Sequence, residues 1–384
     1  MRVDTIHRRL SIANLEFCKL TSPSLGLGLH ALNRYGRRFK DAAKAVGVSD
    51  AATVAYVLPG APADVGGLHS GDTLTAINGK ALGVDAQAIR NAERELRALP
   101  ANAPARLSVR RGAESLDIQV TPETACGYPV QVAEGDEVNA YADGKVVVIP
   151  RGMLRFARND DELALIMGHE LAHNAMGHID AQKQNQMMGM AGGLVLDVLL
   201  AATTGYASDT FSRAGAQAGA LAYSKEFENE ADYAGLYFMA RANYDIDNVE
   251  TFWRRMAADS PQAIFVGQSH PTTPERFVSI TRAREEIRAK QVAHLALRPR
   301  MKGDAADTAL AAASSAAPSP AAPADAASAP AVTAADGSPP APAGTSPTTP
   351  TAAASIPASV AAVVSTPAPT AALVPPEATK PPTP

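Results

Sequence analysis

Two histidines four positions apart are the residues best placed to do chemistry, His169 and His173 in the run His169-Glu170-Leu171-Ala172-His173. Residues i and i+4 share one helical face, so both imidazoles can reach a single metal ion. Glu170 then sits beside the ion and can take the proton of a water without binding the metal. Zinc with neutral nitrogen and oxygen ligands and an open position lowers the pKa of that water towards ~7. The chemistry implied is hydrolysis. A third protein ligand is needed. His178 comes at the wrong spacing for a His-x-x-Gly-x-x-His continuation and reads as a helix-end residue or one that supports a ligand. The run Glu226 to Asp232 offers Glu228 and Asp232 at i and i+4. Glu228 could bind the ion while Asp232 orients a ligating histidine from behind, with Glu226 and Glu230 on other faces. An acidic helix start is also a solvated face favoured by the helix dipole. Spacing leaves both readings open.

These residues need helices to position them. Asp160 to Gly177 reads as a helix capped by Asp160 or Asp161 and stopped by Gly177. Phe227–Ala242, Thr251–Ala258 and Pro274–Leu297 supply others, and Val138–Pro150 reads as two strands around Asp143-Gly144. Upstream, Thr53–Leu58, Thr73–Asn78, Leu107–Arg110 and Leu116–Val120 are strand-like, with Asn78-Gly79 as a turn and an amphipathic helix over Ala86–Leu99. The expected fold class is α+β: a leader over 1–22, a β-rich domain over 23–121, a mainly helical domain over 122–298 and a tail over 299–384.

Three motifs in this order, HELAHN…GH, Glu228-x-Glu-Ala-Asp-x-x-Gly235 and His270-Pro271…Glu275-Arg276, resemble peptidase family M forty-eight, which includes CAAX-prenyl, HtpX-like and BepA-like proteases. The likeness runs from about Cys126 to Ala289. It implies a zincin-type, gluzincin-like metalloprotease domain with a small edge-strand sheet. It also implies one zinc ion per chain on His169, His173 and Glu228, with Asp232 behind them and Glu170 as base. It maps a latency-controlling histidine onto His270, an oxyanion-stabilising candidate onto Arg276, and a substrate-pairing edge strand onto Asn139-Ala140. The run Val57 to Gly79 (VLPGAPADVGGLHSGDTLTAING) resembles a PDZ domain of the bacterial protease-associated kind. Leu25-Gly26-Leu27 looks like the loop that caps a peptide's C-terminal carboxylate, the peptide adding a strand to the sheet edge. Together the likenesses imply polypeptide substrates, unfolded or with exposed C-termini, in envelope protein quality control. An alternative is a latent or non-catalytic zinc-bound adaptor.

Composition narrows the field. The 384 residues carry a net charge of −4. Gly303 to Pro384 holds five acids and one lysine, so the body is formally neutral. That excludes a generic polyanion binder and predicts no nucleic-acid partner. The tail holds 17 of the 29 prolines among Ala, Ser, Thr and Val, and is expected to be disordered. Two cysteines exclude a disulfide-stapled miniprotein; Cys18 and Cys126 could pair if the protein is exported. No apolar run follows Arg8-Arg9, so no secretory signal is read here. The periplasm expected from the resemblance therefore competes with a cytoplasmic location. Met187 to Ala202 is apolar apart from Asp197 and shorter than the ~20 residues a span needs. It reads as a buried or lid helix, with shallow peripheral membrane contact as the alternative.

Overall fold

The computed structural model describes residues 1–221, 224–259 and 274–300. His270 and the Ala/Pro-rich tail lie outside the described residues. Two hydrophobic clusters organise the rest. The first is a β-lobe whose antiparallel sheet runs in the order β2 (Leu27–His30), β3 (Thr53–Val57), β4 (Thr73–Ile77), β6 (Ala105–Arg111), β7 (Glu114–Val120), with β5 (Lys80–Ala81) paired to β4. Asn78 and Gly79 both have positive φ, 48° and 80°, which a two-residue hairpin turn requires. Alternation, with a register shift between Leu74 and Ala76, places Val54, Leu74, Ile77, Leu107 and Val109 inwards, where Ile89 and Ala92 of helix α4 (Ala88–Arg97) cover them.

The second cluster is a helical lobe built around α6 (Asp160–Met176), every residue of which from Leu163 to Ala175 is buried. Its cap is Asn159, one residue earlier than the sequence suggested. The Asn159 side chain accepts from the Glu162 N–H at 2.8 Å, and the Glu162 carboxylate accepts from the Arg158 N–H at 2.7 Å. Gly177 ends the helix with φ 77°. Against α6 pack α9 (Ser224–Arg241) and α10 (Val249–Asp259), and α11 (Pro274–Val292) packs on α9 and α10, with Tyr237, Phe238 and Phe252 in the core. A three-stranded sheet, β10 (Tyr141–Ala142), β11 (Val147–Pro150), β9 (Val130–Ala133), lies alongside, with β10 on the edge.

Residues 1–22 are not a separate leader. Helix α1 (Arg2–Ala13) buries Val3, Ile6 and Leu10 in the helical core, and Asn14 donates to the Phe238 carbonyl at 3.1 Å. The chain thus enters the helical lobe, leaves to form the β-lobe and returns. β1 (Thr21–Ser24) pairs with β8 (Glu123–Cys126) at the crossing, where a disulfide joins Cys18 and Cys126 with Cα atoms 5.5 Å apart. Their sequence separation of 108 corresponds to a loop-closure contribution of about 4–5 kcal/mol.

The segment expected as a buried or lid helix is different. It belongs to α7 (His178–Thr204), 27 residues long, which forms a hairpin with α8 (Thr210–Leu221) and buries only 11% of its most apolar window. Glycines make the hairpin seam: a Cβ on Gly189 would meet the Gly215 carbonyl at 2.0 Å, and one on Gly193 the Phe211 carbonyl at 2.0 Å. Asp197, the one charge in the apolar run, faces inwards and accepts from the backbone N–H groups of Phe211 and Ser212 at 3.0 and 2.8 Å.

Candidate metal centre

Helix α6 supplies two imidazoles and α9 the acids that meet them. Nε2 of His169 and Nε2 of His173 lie 3.1 Å apart. Glu228 closes the triangle, its carboxylate 3.5 Å from His169 and 3.4 Å from His173. All three ligand atoms fall within 4.8 Å of one another, and all three residues are buried. Such close approach of two helices needs glycine at the crossing. A Cβ on Gly235 would lie 2.9 Å from both the Cα and the N of His169. We expect Gly235→Ala to push the helices apart, lowering stability by about 1–3 kcal/mol and weakening metal binding. Trp253, the only tryptophan in the chain, has its ring 5.8 Å from that of His169, so quenching of its fluorescence by Co²⁺ reads the change directly. Unaltered quenching in the variant would refute the role given to the glycine.

Each histidine is held from behind. Nδ1 of His169 lies 3.0 Å from Asp232, which fixes a proton on Nδ1 and turns the Nε2 lone pair to the centre. Nδ1 of His173 lies 3.1 Å from Nδ1 of His178, whose Nε2 lies 3.3 Å from Glu230. Glu230, on a different face of α9 from Glu228 and Asp232, therefore also takes part in the site. It anchors His178, whose ring also stacks on Phe227 at 4.6 Å. His178 and Glu230 are 52 positions apart, so no local spacing could reveal the pair.

Arg276 grips Asp232 with Nε and Nη2, both at 2.7 Å, and its Nη1 lies 3.5 Å from Glu228. Its guanidinium also lies over the Trp253 ring at 4.5 Å. Burial would raise the Asp232 pKa, but the charge of Arg276 outweighs it and holds the carboxyl below its usual value. The stabilisation this gives is full above the unfolded value of 3.8 and is lost as the pH falls through the lower folded value.

The residues fit a cation. Glu170, Glu228 and Asp232 are buried together, with one buried guanidinium, that of Arg276, among the described residues to set against three carboxylates. Burial alone would lower the His169 pKa, yet hydrogen bonds to Asp232 and Glu228 take it up to about 10, while burial takes His173 down to about 4. The carboxylates thus draw a positive charge to the point where the two Nε2 atoms and Glu228 converge. A metal ion there would displace that proton. Asn139 and Ala140 immediately precede the edge strand β10, Ala140 being buried. Leu25, Gly26 and Leu27 lie in the β-lobe, at the entry to β2.

Comparison with known proteins bears on this centre. The family model for peptidase family M48 matches residues 107–284, a span that contains both imidazoles, Glu228, Asp232 and Arg276. Over this span the chain resembles peptidase family M48. The PDZ domain model matches residues 32–109 of the same chain. The peptidase domain is 26% identical over 165 residues to the beta-barrel assembly-enhancing protease of Escherichia coli O157:H7, a match spanning 40% of this chain and 34% of that protein. A Vibrio cholerae protein provisionally given the same name is 31% identical, over 43% of this chain and 35% of that one. The mitochondrial metalloendopeptidase OMA1 of Schizosaccharomyces pombe is 30% identical over 51% of this chain and 58% of its own. The chain spans about a third to just under three fifths of the length of these relatives. Among solved structures, the HtrA3 PDZ domain bound to a phage-derived ligand shares 27% identity, covering 28% of this chain and 92% of its own, at a TM-score of 0.22. The structure adds to the family motifs three groups that sequence reasoning did not find: Trp253, Glu230 and the part of α1 that completes the peptidase core.

Proposed function

We propose that the protein is a zinc endopeptidase that cleaves unfolded or misfolded polypeptides in the cell envelope, its PDZ domain recognising substrate. The observation that carries this reading is the convergence of His169, His173 and Glu228 in a buried site with excess negative charge, with Glu170 beside them on α6. When bound, zinc supplies a Lewis acid and a water acidic enough to attack at neutral pH. His169, His173 and Glu228 would hold it. Glu170 takes the proton of the attacking water on its carboxylate and passes it to the leaving amide nitrogen. The edge strand β10, which Asn139 and Ala140 lead into, aligns an extended substrate by backbone pairing. Asp232 and His178 keep the two ligand tautomers fixed. Arg276 acts as a positioning residue, because two of its nitrogens are committed to Asp232. Chelator-sensitive cleavage of casein by the full chain tests the proposal, and no cleavage by the zinc-loaded chain would overturn it. The Cys18–Cys126 disulfide supports an oxidising compartment such as the periplasm.

The α7–α8 hairpin supports contact with a membrane surface. Met188, Leu194, Val195, Val198 and Leu199 are each more than half exposed. From Met187 to Ala202 the helix is apolar outside its glycine seam apart from Asp197, a surface that suits lipid better than water. Asp197 satisfies its charge within the hairpin, which removes the main cost of burying it at a bilayer interface. Wild type is expected to float with vesicles of anionic bacterial phospholipid. Leu194→Glu/Val198→Glu should stay in solution and cleave casein undiminished. Equal flotation of both, or flotation of neither, would remove the membrane from the proposal.

A further inference from the structure

A cavity of about 350 Å³ lies where α1 of the peptidase core crosses the PDZ domain. Leu25, Leu27 and Leu58 give it an apolar side, with Leu96 and Arg97 from the end of α4. Asp4, His7, Arg8 and Ser11 of α1 form the opposite wall. β2 is the edge strand of its sheet, so the cavity lies at the entrance to an unpaired strand edge among the described residues.

The loop at the head of β2 is built to present donors. The Leu25 carbonyl accepts from the Ala63 N–H at 3.0 Å, and the Gly26 carbonyl from the Leu58 N–H at 2.8 Å. A trans peptide is planar, with N–H opposite to C=O. The N–H groups of Gly26 and Leu27 therefore point away from those partners. Gly26 has φ 67°, and a Cβ there would overlap Ala61 at 2.2 Å. On its other side that Cβ position is 3.6 Å from Cδ and Nε of Arg8. A guanidinium from outside the PDZ domain thus stands next to the turned-out amides.

We propose that Arg8 completes this site, so that the C-terminal carboxylate of a polypeptide is held jointly by the Gly26 and Leu27 N–H groups and the Arg8 guanidinium. The proposal rests on the reading of the PDZ domain as substrate-recognising. Arg8 is held in place by Glu123, with Nε to Oε1 at 2.7 Å and Nη2 to Oε2 at 2.9 Å. That bridge uses two of the five guanidinium hydrogens and leaves donors for a second carboxylate. The residue preceding the carboxylate would place an apolar side chain among Leu25, Leu27 and Leu96. The site is shared between the two domains. Its Arg8 wall belongs to the helix whose other face, through Val3, Ile6 and Leu10, packs in the core around α6. An occupied groove therefore touches the same element that supports the metal helix.

The test is an array of octapeptides with varied last residues, each as free acid and as amide, probed with the full zinc-loaded chain. Wild type should prefer free acids ending in apolar residues. Arg8→Ala should bind free acids about 10- to 100-fold more weakly and lose the preference over amides. Glu123→Gln breaks the same ion pair but keeps the guanidinium, so it should retain the preference. If Arg8→Ala keeps the full preference, Arg8 has no part in the site while the PDZ reading stands. Equal losses in Arg8→Ala and Glu123→Gln would mean that the bridge only supports the fold, and would overturn the proposal. A wild type indifferent to amidation would overturn both the role of Arg8 and the reading on which it rests.

Discussion

Glu170→Gln is expected to lower kcat/KM on casein by about 10²- to 10⁴-fold, the usual contribution of a positioned general base. The substitution keeps the size of the side chain and removes only its ability to carry a proton. Glu170 is buried on α6 between the two imidazole-bearing positions and is not among the three converging ligand atoms. Metal content should therefore be unchanged, as should the Trp253 fluorescence response to Co²⁺. A variant that keeps both metal and activity would remove Glu170 from the mechanism. One that loses metal would make it a ligand instead.

The largest effect on stability is expected at Arg276. It is 3% exposed and holds Asp232, itself 5% exposed, through two 2.7 Å hydrogen bonds. Removing one member of a buried ion pair leaves the other charge uncompensated, at a cost of about 3–5 kcal/mol. Arg276→Met should show this loss in urea unfolding of the metal-loaded chain. It should also weaken metal binding about 10- to 100-fold, because Asp232 would no longer be held against His169. In the double variant Asp232→Asn/Arg276→Met, much of the stability should return while the metal affinity stays low. If Arg276→Met instead abolished cleavage with stability and affinity intact, the guanidinium would be acting on the substrate's developing oxyanion directly.

The parts of the centre that follow helical spacing were legible in the sequence. His169 and His173 lie one turn apart, and so do Glu228 and Asp232, because i and i+4 share a face in any helix. Asn78-Gly79 and Gly177 announced a hairpin turn and a helix end through backbone conformations that glycine and asparagine adopt readily. Relations across the fold left no such trace. Asp232 and Arg276 are separated by 44 positions, and only the packing of α11 on α9 brings them together. Helix α1 was obscured by its own composition. The stretch with Arg8 and Arg9 read only as a leader, whereas Arg2, Arg8 and Arg9 bind Asp160, Glu123 and the Ala242 carbonyl while Val3, Ile6 and Leu10 face the core. Helix α7 misled in the opposite direction, since an apolar run reads as interior until its exposure is known.

The disulfide gives the molecule a topology that the order of its domains conceals. Cys18 and Cys126 flank the PDZ domain, and both anchor points sit on the peptidase core. The PDZ domain is thus a closed covalent ring attached to the peptidase core, like a handle to a cup. A single cut anywhere in that ring opens it without separating either piece from the active site. A nick that would strip a domain hung from one linker therefore leaves the PDZ domain covalently tied to the peptidase core.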